Sequence, residues 1–314
     1  MAAATSPGAV TGRLVHEALL YRDPGSLLAP VTTFVRDALV ANEPVLVAVP
    51  GPAGDMIRER LGAEAAEVQF VDLTDAGRNP GRIIPFVLQS FVGQHPGTPS
   101  RVVGEPVWPG RTPEELGACV QHEALINSAL SDVDTTILCL YDATNLSRAA
   151  LADVARTHPV VMNGRGRRRS TRYRPQVADD ALGEPLAPPS GPIAWFRFDA
   201  RTLRQLRQFA AWQATAVGLD ADRVDDLLLA VNELAANTIQ YAGGHGTLRI
   251  WHTDRDLVCE VHDRGRITDP LVGRLAPPPD SAHGRGLVIV NHLCDLVRIH
   301  AAEDSTTVRI YFRL

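Results

Sequence analysis

The 314-residue chain has only four cysteines, Cys119, Cys139, Cys259 and Cys294, scattered without a CxxC pair or a zinc-like spacing. That excludes a disulfide framework and a zinc finger and leaves reduced, mostly buried thiols as the expectation. Long apolar runs are also lacking. No stretch approaches the roughly 18 consecutive apolar residues of a transmembrane helix, so no membrane partner is expected. The opening MAAATSPGAVTGRL has no basic region followed by an apolar core, hence no secretory signal, and a cytoplasmic protein is expected. Strong charge of either sign is missing too, and a net charge of −5 gives no general drive toward nucleic acid. No internal repeat is evident. What remains, 45% hydrophobic and 21% charged residues over a length suited to two domains, describes a globular protein.

Residues 1–160 alternate helical patterns with short apolar strands, an α/β layering. PVLVAVP (Pro44–Pro50), EVQFVDL (Glu67–Leu73) and TTILCLYD (Thr135–Asp142) are expected as buried parallel strands, with helices over Asp55–Leu61 and Arg82–Val92. GPAGDM (Gly51–Met56) follows a strand where a phosphate-binding loop would sit in a RecA-like unit. It has no Lys-Ser/Thr, so the expectation is a degenerate P-loop. Asp142 ends a strand in the place of a Walker-B-like acid. Residues 161–192, with NGRGRRRSTRYRP and PLAPPSGP, are expected as an exposed basic and Pro-rich connection.

Residues 193–314 follow another order. A strand at Ala194–Phe198 precedes helices over Thr202–Val217 and Ala221–Tyr241, two alternating strands, a Pro-rich loop, a helix from Gly286 and a closing hairpin. An α+β two-layer sandwich is expected, with helices on one face of a mixed sheet. In the second helix Val224, Leu227, Leu228, Val231, Leu234, Ala235 and Thr238 form an apolar stripe. Glu233 and Asn237, at i and i+4, share another face with Leu229 and Ala230. A carboxylate and an amide together suit a hard cation such as Mg²⁺, and equally a solvated surface pair. Downstream, Asp263 ends a strand before Arg264-Gly265, which suits a hydrogen bond to a base amine. Gly284-Arg285-Gly286 opens a helix, where backbone amides and the helix dipole favour phosphate.

In this order and spacing the three features resemble the N, G1 and G2 boxes of the GHKL (Bergerat-fold, HATPase_c) ATPases, and most of all the anti-sigma-factor serine/threonine kinases. The resemblance implies ATP and Mg²⁺ as ligands. Asn237 would coordinate Mg²⁺ and Glu233 would be the general base. Asp263 and Gly265 would meet adenine, and Gly284, Arg285, Gly286 and Leu287 the phosphates, beneath a lid over residues 267–283. It also implies an alternative sigma factor and an anti-anti-sigma (STAS) protein as partners, a homodimer, and a role in transcriptional and stress-response regulation. Where the G1 box often reads DxGxG, Ile267 takes the second glycine position. A non-catalytic, ATP-gated sigma-binding module is therefore the alternative, and a DNA-binding regulator a further one, with no direct nucleic-acid contact expected. A histidine kinase would need a helical hairpin with a phosphoacceptor His upstream, which residues 160–192 do not supply.

Upstream, GRNPGR (Gly77–Arg82), GEPVWPGR (Gly104–Arg111), QHEALIN (Gln121–Asn127) and Tyr141-Asp142, with His16 and Tyr21, resemble the MEDS sensory domain. That resemblance implies sensing of an unknown small-molecule ligand, with His16, Tyr21, Arg78, Asn79, Arg82, Glu105, Trp108, Arg111, His122 and Glu123 as candidate contacts. Read physically, Arg78, Asn79, Glu105, Trp108 and Arg111 form either a polar pocket with one aromatic wall or a network bracing loops over the sheet. His122-Glu123 is not HExxH, because Ile126 holds the last position, so a zincin site is excluded. For the histidines, structural hydrogen bonding, organic-ligand contact and a metal role stay open.

Overall fold

A computed structural model describes residues 14–275 and 284–314. The first half is a sheet covered on both faces. Its strands are β1 (Val15–Tyr21), β2 (Val45–Val49), β3 (Gln69–Asp72), β4 (Ser100–Gly104), β5 (Thr135–Asp142), β6 (Val160–Asn163) and β7 (Gly166–Arg169), in the order β3-β2-β4-β5-β1-β6-β7. All neighbours are parallel except β6 and β7. Helices α1 (Pro24–Val40) and α2 (Gly51–Leu61) pack on one face over Val31, Val35, Val47 and Leu140. Short α3 (Leu73–Ala76) and α4 (Gln89–Gln94), with α5 (Pro113–Ala129) and α6 (Arg148–Thr157), cover the other over Leu46, Val102, Ile137 and Tyr141.

Several expectations change here. β3 is an edge strand with both ends exposed, not a buried one. The helix expected over Arg82–Val92 is a 3₁₀ turn, a π-helix at Ile83–Leu88 and then α4. Pro85 sits inside the π segment, where it has no N–H for an α-helical ladder. GPAGDM is the first turn of α2, and the Asp72 carboxylate accepts from Gly51 N at 3.1 Å. A fixed negative group therefore stands where a phosphate would have to enter. Asp142 accepts from the Thr144 and Asn145 amides at 2.9 and 3.1 Å and so braces a turn. Residues 161–192 are not one exposed connection: Gly164-Arg165 turns the β6–β7 hairpin onto the sheet, Arg167 pairs with Glu17, and α7 (Val177–Gly183) buries Val177, Ala178 and Leu182.

The second half has β8 (Ala194–Asp199), α8 (Leu203–Ala216), α9 (Ala221–Tyr241), β9 (His245–His252), β10 (Asp256–Asp263), α10 (Gly286–Leu293), β11 (Leu296–Ala301) and β12 (Thr306–Arg313). The strands order β11-β12-β10-β9-β8, and every pair is antiparallel, so the sheet is not mixed. Its helix-covered face buries Leu248, Ile250, Cys259, Val261, Val297 and Ile310 against Leu227, Val231 and Leu234. Ala230 belongs to this core at 0% exposure rather than to the face of Glu233 and Asn237.

The opposite sheet face is covered as well. Trp251, Val258, Leu296 and Tyr311 form a cluster with Ala118 of α5. Glu260, on that face, is paired by Arg309 at 2.6 Å and by Arg249 at 2.8 Å. Removing one partner of a buried pair strands the other charge. Arg309→Ala is expected to cost about 3 kcal/mol, the low end for such a pair because Arg249 remains. The urea midpoint of the full chain checks this, and an unchanged midpoint would contradict it.

Candidate functional site

A cavity of about 560 Å³ lies between α9, the end of β10, the chain at 265–272 and the start of α10. Glu233 and Asn237 line one wall, one turn apart, because helical spacing puts i and i+4 side by side. Asp263, Gly265, Gly284, Arg285, Gly286 and Leu287 line the rest. Asp263 is held by two donors: Thr238 Oγ1 at 2.6 Å and Gly265 N at 2.8 Å. Gly286 runs against the carboxylate and the amide. A Cβ there would lie 2.9 Å from Glu233 Oε2 and 3.4 Å from Asn237 Nδ2, so a larger residue would have to push the carboxylate aside. Among the described residues no side chain caps the first turn of α10. A carboxylate, an amide oxygen, a buttressed acid and a glycine-lined helix start around one cavity fit a nucleotide with its divalent cation.

Helix α10 and the chain before it are also held from the other side. Asn79 Nδ2 donates to Asn291 O at 2.9 Å, and Asn79 is fully buried. Gly81 packs so tightly on Asn291 that any side chain there would collide with its amide. Arg78 pairs with Asp295 at 2.6 Å. From the lid region, Arg274 donates to Gln121 at 3.0 Å, while Leu271 and Leu275 pack on the core of the first domain. Arg298 donates to Glu114 O at 2.8 Å. Lid residues 276–283 lie outside the described residues.

These contacts decide between the two readings of the upstream polar residues. Arg78 and Asn79 are committed to the second domain. Arg111 lies 3.5 Å over the Trp108 ring and donates to the carbonyls of Pro106, Arg78 and Gly77, a brace for two loops. Arg82 is half-buried beside them, its pKa lowered by burial and then by Arg78. Arg78, Asn79 and Arg111 thus brace loops and the second domain. Tyr21 donates to Glu105 at 2.7 Å, under the sheet edge. His122 is buried, which pushes its pKa down to about 3. The cavity of the first domain, about 570 Å³, lies elsewhere, between α5, α6 and α7, and of the expected residues only Glu123 lines it. Glu123 meets His16 and His158 at 3.2 and 3.1 Å, with Cys139 beside them. Neither His158 nor Cys139 stood out in the sequence. The usable signal was the i, i+2 spacing of Cys139 and Tyr141, which puts both on one face of β5.

Residues 15–159 match the model of the MEDS domain, the methanogen/methylotroph, DcmR sensory domain, and residues 196–312 that of the histidine kinase-like ATPase domain. The chain thus carries a region that matches the MEDS sensory domain, followed by one that matches a histidine kinase-like ATPase domain. Among solved structures, the RsbU and RsbW domains of a Mycobacterium tuberculosis protein are 18% identical over 40% of this chain, with a TM-score of 0.30. The Acinetobacter baumannii histidine kinase AdeS is 15% identical over 38%, with a TM-score of 0.23. The chain spans 33% of the first and 67% of the second. No curated protein matches it.

Burial, against the opposing hydrogen bond from Tyr21, raises the Glu105 carboxyl to about 7. The folded state then binds more protons than the unfolded one between about pH 4.5 and 7. Stability from this group is full below pH 4.5 and falls, by about 3 kcal/mol, as the pH rises to 7. Glu105→Gln, which keeps the acceptor for Tyr21, is expected to remove that slope. Urea midpoints of both proteins across the window check it, and equal slopes would contradict it.

Proposed function

We propose that the chain is an anti-sigma-type regulator whose C-terminal domain binds Mg-ATP and phosphorylates a serine or threonine of an anti-anti-sigma (STAS) protein. The same domain would sequester an alternative sigma factor, as a homodimer. One observation carries the reading: Glu233 and Asn237 stand one turn apart on α9 and face the glycine-lined start of α10 across one cavity. Asn237 offers its amide oxygen to Mg²⁺, which when bound neutralises charge on the phosphates. Asp263, fixed by Thr238 and Gly265, accepts from the adenine amine. The amides at Gly286 and Leu287 and the charge of Arg285 orient the phosphates. Glu233 takes the proton from the attacking hydroxyl as the new O–P bond forms.

A non-catalytic, nucleotide-gated binding module is the second reading. Its support is Ile267, which stands in place of a glycine and packs on the core of the ATPase domain. Transfer of labelled phosphate from ATP to a STAS protein separates the two. Glu233→Gln is expected to lower the transfer rate by roughly a hundredfold or more, with nucleotide affinity and sigma binding nearly unchanged. Undiminished transfer would remove the base assignment.

Control by the N-terminal domain is supported by the contacts of Asn79, Arg78 and Gln121 with α10, Asp295 and Arg274. A conformational change in the first domain reaches the phosphate end of the site through one packed element. Asn79→Ala is expected to change the Kd for Mg-ATP by about fivefold, a typical coupling of ~1 kcal/mol. Titration calorimetry reads the shift, and a Kd within experimental error of wild type would contradict the coupling.

A further inference from the structure

Four residues from separate elements meet inside the first domain: His16 on β1, Glu123 on α5, Cys139 on β5 and His158 just after α6. Their exposures are 3%, 2%, 1% and 0%. Their ligating atoms lie within 4.8 Å of one another, and three of the contacts are 3.1–3.4 Å. A tetrahedron with bonds of about 2.0–2.3 Å has edges of about 3.3–3.8 Å.

The outer hydrogen bonds fix which atoms face inward. Asn127 Nδ2 points at the carbonyls of Glu123, Ala124 and Thr157, so its Oδ1 must face His16 Nδ1, 3.2 Å away. That oxygen only accepts, so His16 Nδ1 carries the proton and Nε2 presents a lone pair. His158 Nδ1 lies 3.0 Å from Val154 O, which also only accepts, so in the neutral ring, the form that binds a metal, its Nε2 is a lone pair as well. Both lone pairs aim at the Glu123 carboxylate. His158 Nε2 and Glu123 Oε2 have only each other and His16 Nε2 at 3.1–3.2 Å, and Glu123 Oε1 has no hydrogen-bond partner among the described residues. The one thiol proton, on Cys139, can serve only one of the rings. Buried polar atoms are rarely left in that condition. Imidazoles whose other ring nitrogen is pinned by an amide or a backbone carbonyl are how metal-binding histidines are held.

We propose that the MEDS domain holds one divalent transition-metal ion of the zinc class on His16 Nε2, His158 Nε2, Cys139 Sγ and the Glu123 carboxylate. Two imidazoles, a thiolate and a carboxylate suit a borderline-soft ion and suit Mg²⁺ or Ca²⁺ poorly. The site has a route to the outside. Glu123 and Tyr141 also line the 570 Å³ cavity, so a small molecule there reaches the ion on its carboxylate side. It has a route inward too. Helix α5, which carries Glu123, also carries Gln121 and Glu114, the partners of Arg274 and Arg298 in the ATPase domain.

The test uses the full chain, stripped with a chelator and titrated with Zn²⁺ and with Co²⁺. About one ion per chain is expected by elemental analysis, with Co²⁺ giving the visible bands of a tetrahedral site and a thiolate charge-transfer band. Cys139→Ser is expected to lose that band, while Cys119→Ser, whose thiol bonds Pro106 O instead, keeps it. His158→Gln is expected to weaken Zn²⁺ binding by more than about tenfold. Failure of the wild-type chain to take up either ion at micromolar concentration overturns the proposal, whatever the variants do. So does a charge-transfer band that survives in Cys139→Ser.

Discussion

Helix α10 serves two domains at once, and the rest of the arrangement depends on how it is gripped. Its first residue, Gly286, lies against Glu233 and Asn237 in the cavity between α9 and α10. One turn further on, Asn291 is buried and bound on both sides: it donates to Gly273 O and Leu287 O, and its own carbonyl accepts from Asn79. An amide so placed cannot move without breaking bonds in both domains, and an unmade buried hydrogen bond costs about 1–3 kcal/mol. The fit of Gly81 against it leaves no slack. The phosphate end of the site is therefore as rigid as the domain junction.

That junction is unusual in burying the sheet face that a lone two-layer domain would leave wet. Val258, Trp251 and Tyr311 pack on Ala118, and the charges on that face are matched rather than exposed, Glu260 by Arg309 and Arg249. Helix α5 is the element that joins the parts. One end supplies Glu114 and Glu115 to Arg298 and Arg313, the middle supplies Gln121 to Arg274, and Glu123 enters the His–Cys cluster. One helix thus contacts the second domain and carries part of the buried cluster of the first.

The C-terminal domain was legible in the sequence almost element by element, because its strands alternate and its helices carry distinct apolar stripes. The local pattern misplaced only Ala230 and the strand directions, which depend on connections rather than on periodicity. The first domain was less legible. Parallel strands buried on both faces lose the alternation that marks a strand, so SRVVG was not seen, and VHEALLY was hidden by His16 and Glu17 in its middle. Pro85 broke a helix that periodicity had drawn as continuous. The β6–β7 hairpin, which turns at Gly164-Arg165, was masked by the arginines around it. Cys139 and His158 escaped notice for a different reason. They are 19 positions apart in sequence, each alone in its strand or loop, and only the register of β1 beside β5 and β6 brings them to His16.

The account rests on the cavity between α9 and α10 being a Mg-ATP site built on Asn237. Calorimetric titration of ATP into the full chain, with and without Mg²⁺, and into Asn237→Ala tests that most directly. Saturable, Mg²⁺-dependent binding at one site per chain, lost in Asn237→Ala, is the predicted result. Absence of binding by the wild-type chain, or binding indifferent both to Mg²⁺ and to Asn237, would contradict it.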